Sequence, residues 1–219
     1  MTDVSEISPS ALLRIMTFLS PAFPTGGFAY SGGLESAVKE GLVDSHETLT
    51  SWLRKSLTNG PLWNDAVLCA AAWNSEPEAD QLALALAGSC ERYEETCALG
   101  GAFRTAAQAW NSNETQPLTE PVALPIAIGF LAREQSLPLV PLLVGFLQSG
   151  VSNQVQAALR LFDLGQQAGL RVTHELEPDL LKTASAAADS SLDNLGSATV
   201  MIDVASMRHE SQTSRIFRS

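Results

Sequence analysis

The chain has 219 residues, a formal net charge of −11 (13 Lys and Arg against 24 Asp and Glu) and 45% hydrophobic side chains, with only 6% aromatics. That length supports one well-filled core, and the hydrophobic fraction excludes a body disordered throughout. The acidic balance excludes a nucleic-acid binder, which needs a positive footprint to release counterions. An acidic surface suits a basic protein partner or cations. Alternating runs of β-branched residues are hard to find, so the composition leans towards helix.

In chain order, Ser8 is a good N-cap and Pro9 a good first helical residue. Leu12, Ile15, Met16 and Leu19 then fall on one apolar face. Residues 20–35 (SPAFPTGGFAYSGGLE) form an aromatic-bearing loop between helices. Pro21 and Pro24 fix its backbone, while Gly26, Gly27, Gly32 and Gly33 free it again, and Phe23, Phe28 and Tyr30 give it an apolar payload. A second helix over about 31–40 has Leu34, Ala37 and Val38 inward and Gly41 as its stop. Asp44 with Glu47 looks like a capping box for a third, with Leu49, Trp52, Leu53 and Leu57 buried and Asn59-Gly60 at its end. Pro61 opens a fourth helix to about Asn74, flanked by Trp63 and Trp73, either of which could anchor a core or an interface. Pro77 restarts the chain into an Ala/Leu-rich helix reaching about Gly88, and a more charged one follows to Trp110. Residues 111–119 read as the longest surface loop. Four prolines punctuate the apolar region 122–147, giving short helices or one kinked helix. A helix from Val151 would end at Gly165 or Gly169, and Glu177-Pro178 starts another to about Ala188. Residues 191–219 are set apart from the helical body (1–190) as a linker, a short helix over 200–207 and a tail that is mobile in isolation. That tail carries Arg208, Arg215 and Arg218 on an otherwise acidic chain. The expected fold is all-α, a single-domain irregular bundle of about eight to ten helices.

Cys69, Cys90 and Cys97 each lie in a helix-like stretch and are expected as buried thiols in a reducing compartment. The first residues lack the pattern of a secretory leader, and no apolar run approaches the ~20 residues of a spanning helix, so a cytoplasmic protein without a membrane segment is expected. His46, His174 and His209 have no second His or Cys at ligand spacing, and no metal site within this chain alone is expected. His209-Glu210 reads as a surface ion pair or interface contact. Glu91, Glu94 and Glu95 read as the solvated face of a helix, with Arg92 and Arg104 as partners. Neither a P-loop nor a strand-borne dinucleotide fingerprint nor a Gly-x-Ser-x-Gly elbow is present, and no catalytic constellation emerges.

Three blocks in sequence order resemble the UreF urease accessory proteins: residues 20–35, residues 151–166 ending in Leu164-Gly165-Gln166, and the tail with Met207, His209-Glu210 and residues 214–219 (SRIFRS). A weaker match runs from Arg92 through Glu95-Thr96 to Gly100 and Phe103. Phe23 departs from the small aliphatic residue usual there, Gly27 from alanine, Gly32 from a more polar residue, and Phe162-Asp163 from a frequent Ile-Pro pair. The resemblance implies an all-α protein that is not an enzyme. It would join a UreD-like (UreH-like) protein and a UreG-like GTPase on apo-urease, with nickel handled by the complex, and would dimerise within it. Tyr30, Ser31, Glu35, His209, Glu210, Arg215, Ile216 and Phe217 are the expected partner-binding residues, with Pro21, Pro24, Gly26, Gly27 and Gly33 shaping the loop. The alternative is a helical enzyme with a small-molecule pocket under the loop 20–35.

Overall fold

The structure is a computed structural model that describes residues 7–26, 28–110 and 121–219. Gly27 and the whole of the expected surface loop at 111–119 lie outside the described residues, as does the start of the chain. The expectation of an all-α bundle is borne out. The helices are α1 (Pro9–Phe18), α2 (Leu34–Lys39), α3 (His46–Asn59), α4 (Pro61–Asn74), α5 (Ala79–Ala85), α6 (Cys90–Ala107), α7 (Leu124–Glu134), α8 (Leu139–Leu161), α9 (Gln166–Glu175), α10 (Glu177–Ala188) and α11 (Val200–His209).

Local chemistry sets the boundaries. The Ser8 side chain accepts from the Ala11 amide, and Pro9 occupies the first turn, where its missing N–H costs nothing. At α3 the cap is Ser45 with Thr48, a reciprocal pair, instead of the expected Asp44 and Glu47. The apolar stretch 122–147 resolves into α7 and the first part of α8. The latter runs unbroken through Gly145 and Gly150 to Leu161, so no new helix begins at Val151.

The core centres on α4, which is covered on most of its surface: Ala66, Val67, Leu68, Cys69, Ala70, Ala71 and Ala72 are all buried. Its main neighbours are α7, α3, α10 and α8. Close approach to α7 depends on Gly129, where an added Cβ would run into the Cys69 carbonyl. The indoles of Trp73 and Trp63 donate to the carbonyls of Leu137 (2.9 Å) and Asn194 (3.0 Å), so both tryptophans anchor within the chain. Phe23 of the loop joins Phe18, Phe103 and Trp110 in an aromatic cluster with centroids 5.2–5.3 Å apart. α1 turns Ile15 and Phe18 inward. Leu12 and Met16, expected on the buried face, are exposed because that face looks across a groove and not into the core.

Candidate functional site

The loop and the tail form one structure, although they are distant in sequence. The amide of Arg218 donates to the Ala29 carbonyl at 2.8 Å, and that of Ser31 to the Ser219 carbonyl at 2.7 Å. The Ser31 hydroxyl also donates to the Ser219 carbonyl and accepts from the Glu35 amide, opening α2. Gly33 makes this geometry possible. It sits at φ +83° ahead of α2, and an added Cβ would lie 2.7 Å from the Ser206 amide of α11.

Glu35 is the central acceptor. Its buried carboxylate takes the amides of Ile216 and Phe217 at 2.8 Å each and lies 3.3 Å from His209 Nε2. Burial pushes this carboxyl up, but the two amides and His209 more than offset that and hold it below the usual range. His209 Nδ1 meets Glu91 at 2.6 Å, and Glu91 in turn accepts from Arg215 at 2.5 Å. Glu210 accepts from the Cys90 amide at 2.7 Å, at the start of α6. From α8, Arg160 donates to the Phe28 carbonyl at 3.0 Å and lays its guanidinium 4.3 Å from the centroid of the Phe217 ring. Also from α8, Gln154 donates to the Ser31 carbonyl at 2.8 Å and Asn153 to that of Thr25 at 3.1 Å.

Beneath this closure lies a second buried ionic group. Ser219 donates to Glu95 at 2.9 Å, and Arg92 pairs with Asp65 at 2.5 Å and Glu95 at 3.3 Å. For Arg92 burial opposes the charge, but Asp65 and Glu95 outweigh it and raise the group further. At Glu95 burial wins over Arg92 and Ser219, and the carboxyl is pushed up. Asp65, Arg92 and Glu95 line a cavity of about 220 Å³ that reaches Thr25, Gly26, Tyr30 and Gly32.

Of the residues expected to meet partners, Ser31, Glu35, His209 and Phe217 are buried in this chain's own closure. His209-Glu210 is therefore not a surface pair, and the tail, expected to be mobile, is seated because buried acceptors await its amides. Tyr30 is half-buried, while Glu210, Arg215 and Ile216 are exposed, Ile216 at 55%. Pro24 and Gly26 are half-buried and Pro21 is exposed. Glu91 and Glu95, expected on a solvated face, point inward; the acceptor-hungry arginines of the tail were the available signal. Arg160, Gln154 and Ser219 lie inside the blocks that carry the resemblance but were not singled out as site residues. Among the thiols only Cys69 is buried: Cys97 is half-buried, and Cys90 is exposed, with Glu94 beside it raising its thiol.

A groove of about 850 Å³ opens on the other side of the loop, between α1 and the start of α8. Leu12, Met16 (63% exposed), Pro21, Phe28 (72% exposed) and Val140 line it. Among the described residues, no group of three or more His, Cys, Asp or Glu is placed to hold a metal ion, and no helix is long and apolar enough to cross a membrane.

Comparison with known proteins places these features in a family. The family model UreF matches residues 43–177. Urease accessory protein UreF of Allorhizobium ampelinum is 48% identical over 95% of this chain and 96% of its own length. The protein of the same name from Agrobacterium fabrum is 47% identical over 98% and 99%, and that of Rhizobium etli 46% identical over the whole of both chains.

Proposed function

The chain belongs to the UreF family of urease accessory proteins, and from that premise we propose that it is the adaptor of a urease maturation complex. In this reading it joins a UreD-like (UreH-like) protein and a UreG-like GTPase on apo-urease in the cytoplasm and couples GTP hydrolysis to nickel insertion. Nickel is the cargo of the complex and is not bound by this chain alone.

The loop–tail closure is the observation that carries the reading. It displays Tyr30, Arg215 and Ile216 from one rigid platform while Ser31, Glu35, His209 and Phe217 are spent on holding it together. A partner reading that platform gains a pre-ordered aromatic, cation and aliphatic group without paying to order a free tail. In this reading the chain also forms a homodimer within the complex.

The test is co-purification of tagged chain with UreD-like and UreG-like proteins, comparing the full chain with Tyr30→Ala and Ile216→Ser variants. Full-length capture of both partners, weakened by either substitution at unchanged melting temperature, supports the adaptor. A well-folded full-length chain that captures neither overturns it.

A second reading, a helical enzyme with a pocket under the loop, has the 220 Å³ cavity in its favour. Arg92, Asp65 and Glu95 in its wall pair with one another. Turnover of a substrate by the purified chain alone would favour the enzyme; a requirement for partners favours the adaptor.

A further inference from the structure

The polar groups that line the cavity beneath the closure do not satisfy one another. Trp52, Ser56, Asn64 and Thr96 all line it, and each is buried, between 3% and 9% exposed. The Asn64 side-chain oxygen accepts from the Gly196 amide at 3.0 Å, which leaves its amide nitrogen as the unpaired end. The hydroxyls of Ser56 and Thr96 accept from the amides of Leu62 and Leu124, at 3.4 and 3.1 Å. Their own protons meet no acceptor among the described residues, and neither does the Trp52 indole N–H. A buried donor without an acceptor is destabilising. Four of them around one cavity point to a guest that brings acceptor oxygen.

The charged groups narrow the class. Arg92 takes one oxygen of Asp65, and the other has no partner among the described residues. Both oxygens of Glu95 are engaged, one by Arg92 and one by Ser219. Two carboxylates against one guanidinium disfavour an anion here, and the guanidinium between them already holds the place of a cation. Leu53, Leu68, Leu99 and Ile128 line the same cavity. Water could pair with the donors but would leave these apolar side chains wet.

We propose that the cavity is a binding site for a small uncharged carboxamide with an apolar body. The carbonyl oxygen accepts from the unpaired donors of the wall, the N–H group donates to the free oxygen of Asp65, and the body packs on the leucines. The loop 20–35 reaches the cavity through Thr25, Gly26, Tyr30 and Gly32, and Ser219 bonds to its Glu95, so an occupant stiffens the closure from below. The site stands without the adaptor reading; only its consequence for partner capture rests on it.

The test uses the isolated full chain, labelled with 15N and titrated with benzamide, with benzoate, benzylammonium and toluene as controls of similar shape. The expected result is a saturable shift of the Trp52 indole and Asn64 side-chain amide signals by benzamide, with a dissociation constant below about 5 mM. Each control should bind at least tenfold more weakly. Shifts that rise without saturating, saturation confined to signals away from the cavity, or a control that binds as well as benzamide each overturn the proposal. Trp52→Phe and Ser56→Ala remove one donor each with little change of shape, and at least one of them should weaken benzamide binding about fivefold. Unchanged affinity in both is a failure. If neither variant folds, the signals of the unsubstituted chain decide by the same criteria. A chain that binds benzamide but captures no partner supports the site and overturns the adaptor.

Discussion

Around α4 and α7 the chain reaches full burial with small apolar groups: Ala66, Ala70 and Ala71 on one helix, Ala127 and Gly129 on the other. Around Glu35 it reaches comparable burial with carboxylates, an imidazole and backbone amides. The first region loses little from any one contact, because dispersion and area are spread over many atoms. In the second, each partner is specific, and removing one leaves a buried polar group unsatisfied. The core should accordingly fail globally and gradually, and the closure locally and abruptly.

The largest expected effect breaks the core. Leu143→Ala, at a fully buried position of α8, should destabilise the fold by about 2–5 kcal/mol, seen as a drop of roughly 10 °C in Tm. The tail should melt together with the body in this variant. Glu35→Ala comes next. It orphans the amides of Ile216 and Phe217 and one face of His209, at a cost of about 3 kcal/mol confined to the tail. Exchange should rise at those amides and stay unchanged in α4 and α7; a uniform rise would erase the distinction between the regions.

A gentler perturbation is acid. Because the seated tail holds the Glu35 carboxyl below its usual range, the released state binds its proton first as pH falls. The stabilisation from Glu35 is therefore complete above the ordinary carboxyl range of about 4.3 and is lost as pH drops through the lowered folded value. Tail-amide protection measured down that range should fade before helix content does. The smallest effect on stability belongs to Ile216→Ser, within about 0.5 kcal/mol because the side chain is exposed. The same change should weaken partner capture at least tenfold, measured by titration against the UreD-like protein.

The difference between the two regions also explains what the sequence disclosed. Helices α1, α4 and α10 could be placed from Ser8-Pro9, Pro61 and Glu177-Pro178, because caps and prolines act within one turn. The boundary between α8 and α9 could not: Gly165 and Gly169 both looked like stops, yet Gly169 lies inside α9, and α8 absorbs the helix expected from Val151. The importance of residues 20–35 and of the tail was visible in their chemistry. That they meet was not, since Glu35, Glu91 and Glu95 are polar letters in any periodicity reading, and what buries them is a set of donors more than a hundred residues away. Leu12 and Met16 failed for the opposite reason: helical spacing finds an apolar face but does not say what covers it.

The pairing of Ala29 and Ser31 with Arg218 and Ser219 also bears on synthesis. A ribosome delivers residues 28–35 long before residues 209–219, so the early loop leaves the exit tunnel with its Ser31 and Glu35 partners still unmade. Throughout elongation the helical body can assemble, but the displayed platform cannot. A chain on which residues 209–219 have not yet been made thus keeps these polar groups unpaired. The loop and the tail can therefore close, and present Tyr30 and Ile216 together, only once residues 216–219 have been made.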